Sequence, residues 1–296
     1  MDFRQLQYML KVAEEKSFSK AAQKLYIAQP SLSQYIQKME QQLGVQLFDR
    51  TNNPITLTYA GELYIETAKK ILDLKNQLIQ QMEDIVELKK GCLKIGVASF
   101  RSTYFIPKVL PLFYERFPGI EVILFEGTSG ELEELALKGT TDITIMMMPV
   151  PKELFSYEII LKEEILLAVP PKHPLSKKEG NKINLAALKN ESFILLKQNQ
   201  KLHQIAVNLC KQVGFKPKIL LETESIETAH ALVAAGMGIS FIPDILLLAN
   251  TYSKQPKYFS IEDFSATREM VVAYRKGRYL STASKEFINV MKEALS

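Results

Sequence analysis

A chain of 296 residues that is 47% hydrophobic is long enough for two or three domains with sizeable cores. Its 37 basic and 33 acidic residues leave a net charge of +4 and a pI near 8.8, too mild by itself to announce a nucleic-acid partner. Two cysteines, Cys92 and Cys210, exclude a disulfide framework; no apolar run reaches the ~18 residues of a membrane span, and the opening MDFRQLQYML lacks a secretory pattern, so a reduced cytoplasm is expected.

Residues 3–15 read as a first helix with Leu6, Met9, Leu10 and Ala13 on one face. Ser17 and Ser19 can cap a short second helix whose inner face carries Ala21, Ala22 and Leu25. Tyr26-Ile27-Ala28 make a tight connection, and Gln29-Pro30-Ser31 open a third helix, with Pro30 in the first turn where no helical N–H is lost. Leu32, Ile36 and Met39 fall on its buried face, Ser31, Ser33, Gln34, Gln37 and Lys38 face out, and Gly44 ends it. The pair has helix-turn-helix spacing, with its second helix placed for a major groove. A helical hairpin with a merely solvated polar face has the same periodicity.

Residues 45–48 and 55–57 read as short strands around Asn52-Asn53-Pro54, a wing beside that helix. Residues 58–90 read as one long helix. Tyr64, Thr67, Ile71, Leu74, Leu78, Gln81, Ile85 and Leu88 recur at heptad spacing, a mostly apolar seam suited to a coiled coil. Packing along its own domain would explain the pattern too, but the flanking Gln77, Gln80, Glu83 and Asp84 favour an exposed helix awaiting a partner. Lys89-Lys90-Gly91 marks a boundary. From Cys92 onward strands (93–98, 120–125, 142–147) alternate with helices (103–117, 130–138). A second set follows with strands at 165–169, 193–196, 218–221 and 239–242 and helices at 200–213 and 226–235, before a strand at 269–274 and a helix at 282–295. This argues an α/β fold with mostly parallel sheets in two similarly built halves.

The run Ala-Ala-x-x-Leu, Gln29-Pro30-Ser31-Leu32-Ser33, Met39-Glu40, Leu43-Gly44, Leu47-Phe48-x-Arg50 and Leu57-Thr58-x-Ala60-Gly61 closely resembles the DNA-binding domain of LysR-type transcriptional regulators. The resemblance implies a winged helix-turn-helix domain at 1–60, a dimerising linker helix at 61–90 and a periplasmic-binding-protein-like effector domain at 91–296. One lobe of that domain would span about 91–163 plus 268–296 and the other about 164–267. It implies double-stranded operator DNA with a dyad, a small-molecule effector, self-association as dimer or tetramer, and RNA polymerase as partners, with no membrane and no cofactor. Gln29, Pro30, Ser31, Ser33, Gln34, Gln37, Lys38 and Arg50 become the DNA-binding set. Asn53 stands where a second wing arginine is common in the family, and Ala28 replaces a frequent Ser/Thr cap.

Ligands of open α/β sheets bind beyond the carboxyl ends of the strands. Ser99, Arg101, Ser102 and Thr103 follow the first strand, Thr128 and Ser129 the second, and Thr223 and Ser225 close a strand of the second lobe, with Gln198, Gln200 and His203 opposite. Hydroxyls and N–H groups at helix starts suit an anion, although each could simply be a cap. By the resemblance, Ser99 and Thr128 match positions that touch effector, and Arg101 points to an acidic one. Catalytic readings are weak. Gly127-Thr128-Ser129-Gly130 lacks a nucleophile elbow's spacing, no phosphate loop occurs, and Gly236 and Gly238 belong to a turn. His173, His203 and His230 lack ligand spacing, and Cys210 sits in an apolar helix run. A cytosolic α/β enzyme with a helical appendage, or a solute-binding protein without its signal, remain the competing classes.

Overall fold

The computed structural model describes residues 2–52, 54–85, 91–248 and 255–295. The chain divides into two units, Met1–Ile85 and Val86–Ser296. In the first, α1 (Phe3–Glu15) begins under a capping box: Asp2 accepts from the Gln5 N–H at 2.8 Å and donates its own N–H to the Gln5 side chain. Its buried stripe is Leu6, Met9 and Val12, with Leu10 and Ala13 only half-buried. α2 (Phe18–Lys24) is capped by Ser17 and packs Phe18, Ala21 and Ala22 inward. α3 (Gln29–Leu43) buries Leu32, Ile36 and Met39 in the same core, and Gly44 closes it in the left-handed conformation at φ 71°.

The N–H groups of Gly44 and Val45 bond back to carbonyls of Gln41 and Glu40, so residues 45–46 complete the helix cap instead of starting a strand. The wing therefore narrows to β1 (Phe48–Asp49) against β2 (Thr56–Leu57), antiparallel, shorter than the sequence suggests. Asn53 lies outside the described residues. Next comes α4 (Tyr59–Ile85). Gly61 sits under the Leu47 carbonyl, where any Cβ would collide, so the Ala60-Gly61 pair lets the helix start against the wing. Leu88, the last heptad position, and the Ile85 side chain lie outside the described residues, as do the side chains of Gln80 and Glu83. Gln77 is buried, not solvated, and bonds Asp73 at 2.9 Å.

The second unit runs β3 (Gly91–Val97), α5 (Ser99–Arg116), β4 (Ile120–Glu126), α6 (Ser129–Leu137), β5 (Ile143–Met147), β6 (Phe155–Val169), β7 (Lys182–Ile183), β8 (Ser192–Leu196), α7 (Lys201–Gln212), β9 (Lys218–Thr223), α8 (Ile226–Ala234), β10 (Ser240–Pro243), β11 (Lys257–Ile261), β12 (Thr267–Arg275) and α9 (Thr282–Leu295). β3 pairs in parallel with β4 and β5, and β8 with β9. β12 lies antiparallel to β5 and β6, while β10 and β11 lie antiparallel to β6. The antiparallel members are the two crossing strands: each enters a parallel sheet from the opposite lobe and therefore runs against it. Residues 155–164 of β6 pair with β12, and residues 165–169 pair with β10 and β11, so the chain crosses between lobes at Glu164/Ile165.

The first lobe closes on Leu93, Ile95, Phe113, Phe287 and Met291, the second on Leu167, Phe193, Phe241 and Phe259. Three features differ from the sequence pattern. β6 starts ten residues before the expected 165, because its first part mixes apolar and charged residues without a regular alternation. α5 begins at Ser99, four residues earlier than expected from its Ser/Thr-rich start. Strands β7 and β11 escaped the periodicity altogether.

Candidate functional site

The DNA-facing candidates lie on and beside α3. Gln29, Pro30, Ser31, Gln34, Gln37 and Lys38 are exposed and Ser33 is half-buried, above a fully packed inner face. Ala28 gives no side-chain cap, which leaves first-turn N–H groups available to an anion such as a phosphate. Arg50 is placed differently from expectation. Its Nη2 donates to Glu40 Oε2 at 2.7 Å and its guanidinium lies 5.0 Å from the Phe18 ring centre. Glu40 is buried and its other oxygen accepts the N–H groups of Leu47 (2.8 Å) and Phe48 (3.1 Å). Arg50 thus helps to lock the wing onto α3, with its side chain still 38% exposed. Tyr26, read only as a connection, is 95% exposed with φ 55°, an aromatic ring held out just before α3.

On the same unit, Leu63, Leu74, Leu78 and Met82 of α4 are exposed. Leu6, Leu43, Val45, Leu63 and Ile71 line an apolar groove of about 380 Å³.

In the second unit a cleft of about 630 Å³ opens between the lobes. Seven of the eleven effector candidates line it: Ser99, Arg101 and Thr103 from α5, Thr128 and Ser129 from α6, and Gln200 and Ser225 from the second lobe. The other four do not. Ser102 faces away from the cleft on α5, Gln198 is exposed outside it, His203 turns its Nδ1 to the Leu196 carbonyl at 2.7 Å, and the Thr223 hydroxyl accepts from the Ser225 N–H.

Local bonding sorts the helix starts. Thr128 caps α6 reciprocally with Glu131, donating both its N–H (2.7 Å) and its hydroxyl (2.9 Å) to the carboxylate, and these bonds hold Glu131 below the usual carboxylate pKa. Ser225 caps α8 through the Thr228 N–H and donates to Glu227 at 3.0 Å. Both N-termini are thus already filled by protein oxygens. α5 and α7 begin without any side-chain cap.

The floor carries buried charge. Arg101 is buried and donates Nη2 to Glu163 Oε1 at 2.9 Å; Arg268 donates Nε to the same oxygen. Burial pulls the Arg101 guanidinium down to about 10, still charged at neutral pH. Glu163 and Arg268 face each other where β6 and β12 cross between lobes. Across the cleft Lys201 donates Nζ to the carbonyls of Met147 and Pro149, both at 2.7 Å, and desolvation lowers its pKa. Nothing in the sequence pattern singles out Lys201, Glu163 or Arg268: the crossing of β6 and β12 pairs Glu163 with Arg268, and Lys201 reaches over from the start of α7. Among the described residues no group of three His, Cys, Asp or Glu is arranged to hold a metal ion.

Residues 3–62 match the bacterial regulatory helix-turn-helix protein model of the lysR family, and residues 87–296 match the LysR substrate binding domain. The chain belongs to the LysR family. It is 33% identical to the HTH-type transcriptional regulator YcgK of Bacillus subtilis strain 168 over 100% of this chain and 95% of that one. It is 31% identical to the regulator AlsR of the same organism, over 98% and 95% of the two chains. Full-length CbnR in complex with its target DNA superposes with a TM-score of 0.71 at 25% identity, over 99% of this chain and 100% of that one. This LysR-family chain is therefore a DNA-binding transcriptional regulator with a substrate-binding domain for an effector, and its relatives are regulators, not enzymes. No described helix is long and apolar enough to cross a membrane.

Proposed function

We propose that this LysR-family regulator reads a dyad-related operator in the cytoplasm as a dimer or a dimer of dimers, and that a small effector carrying an anionic group controls it from the interlobe cleft. The observation that supports the DNA reading best is α3 itself. Amides and hydroxyls cover its outer face while every apolar side chain needed by the core points inward. Gln29, Ser31, Ser33, Gln34 and Gln37 face the major groove in this reading, with Lys38 and the uncapped helix start at phosphates. Tyr26 lies against the backbone beside them. A lone recognition helix covers too few base pairs to select a site, so two heads act together, joined through the exposed leucines of α4. RNA polymerase is the further partner of a regulator working at promoters.

Footprinting on a genomic operator library tests this. Protection of two half-sites about one helical turn, or a multiple, apart is the expected result. Gln34→Ala should relax preference at one base position by roughly 1–3 kcal/mol. Equal loss on all sequences would remove Gln34 from the base-reading set. On the effector side, Ser99 and Thr103 with the α5 N-terminus supply donors, and Arg101 and Arg268 supply charge.

A further inference from the structure

The cleft is bipolar. Its floor holds the uncapped start of the 18-residue helix α5 together with Arg101 and Arg268. These two guanidinium groups share one oxygen of one carboxylate, Glu163, which leaves the cluster a net positive charge. Arg101 lines the cleft with a side chain only 7% exposed, and among the described residues its buried Nε, like Glu163 Oε2 beside it, has no hydrogen-bond partner, so the cluster is not fully satisfied within the protein. Its mouth is opposite in sign. Glu131, exposed, and Glu227, half-buried, line it, each with one oxygen committed to its own helix cap and, among the described residues, no hydrogen bond to the other. A plain dianion would meet that acidic mouth, and a plain cation would meet the floor.

We propose that the effector is a small zwitterion of the amino-acid class, its carboxylate on the α5 N-terminus and the Arg101–Arg268 floor and its ammonium group between the carboxylates of Glu131 and Glu227. This rests on the reading of the cleft as the effector site. A ligand of this size fits the cavity volume, and opposite charges at its two ends match the floor and the mouth at once, which gives orientation as well as affinity.

The test uses the full-length protein, followed by thermal shift and calorimetric titration. The probes are the twenty common L-amino acids, 4-aminobutyrate, and matched compounds lacking one charge: propionate, butyrate, succinate, glutarate and butylamine. At least one amino compound should bind at least about tenfold more tightly than its deaminated counterpart. Glu227→Gln, which can still accept from Ser225, should weaken that compound about fivefold to tenfold and shrink its advantage over the deaminated acid. Arg101→Lys, checked for fold by ligand-free melting, should weaken zwitterion and acid alike. Equal or tighter binding of succinate or glutarate, or no binding by any amino compound, overturns the zwitterion while a loss on Arg101→Lys would leave the cleft as effector site. Amino-acid binding indifferent to both substitutions places the ligand elsewhere and sinks both readings.

Discussion

Glu40 shows how much one side chain can hold. It accepts two wing N–H groups and pairs with Arg50 from a buried position. Glu40→Ala leaves those donors without partners and should cost about 2–4 kcal/mol in denaturant unfolding of the DNA-binding unit. Arg50→Ala should lower operator affinity by loosening the wing. The slope of log affinity against log salt should then change by much less than the one unit expected for a lost phosphate contact. A full unit of change would return Arg50 to the phosphate-contact set. Cys210 is a second case. Burial pushes its thiol up to about 12, so at pH 8 only about one molecule in ten thousand carries the thiolate. It should resist alkylation in the native protein and react only on unfolding, as mass spectrometry after a timed iodoacetamide pulse would show. Fast native labelling would contradict the buried placement.

Among elements, α4 leaves Leu63, Leu74, Leu78, Ile79 and Met82 exposed. Leu74 is 64% and Leu78 57% exposed, although both belong to the heptad seam, whereas Ile71 is half-buried in the groove beside the first helix. Charges at Leu74 and Leu78 therefore cost the monomer little and should act on association. Leu74→Glu with Leu78→Glu should shift the protein to a smaller species in sedimentation equilibrium with melting changed only modestly. Unaltered mass would move the seam to another face. The same element explains why periodicity alone was ambiguous. Asp73 and Gln77 are buried on it while leucines are exposed, the reverse of what a helix packed only on its own core would do.

The whole molecule turns on the crossing strands. A shift of the regulator from 1:99 to 99:1 needs about 5.5 kcal/mol of differential ligand binding, and a single hydroxyl contact supplies roughly 1 kcal/mol. Ser99→Ala should accordingly weaken effector binding only about fivefold, with effector-free operator binding near normal. Thr128→Ala should in addition lower the melting temperature, because its hydroxyl caps α6 at a worth of about 1 kcal/mol. Unchanged effector affinity in both variants would put the pocket elsewhere. In the proposed switch the remainder comes from closure of the lobes on the ligand and from repeated sites in the oligomer. Glu163→Ala leaves two buried guanidinium groups without a counter-charge and should cost about 3–5 kcal/mol in denaturant unfolding of the second unit.

Local chemistry was enough to make the DNA-binding half legible. Capping at Ser17, Pro30 in a first turn, the left-handed Gly44 and the spacing of Leu32, Ile36 and Met39 act within a few residues, so the chain displays them in order. The alternation of the second half announced its layers for the same reason. What tertiary structure alone decided is non-local. Arg50 reads as a wing cation but spends its charge on Glu40, ten residues away. Arg101 reads as an effector-binding charge, and it does line the cleft, but it is also buried against Glu163 and Arg268, which meet it only because β6 and β12 cross between lobes. Thr128 and Ser225 line the cleft and also cap their own helices, a double placement the sequence left open, while Lys201 spans the cleft unannounced. A sequence carries the period of a helix or strand, but the partner of a buried charge is set by which distant segments the fold brings within about 3 Å, and no period encodes that.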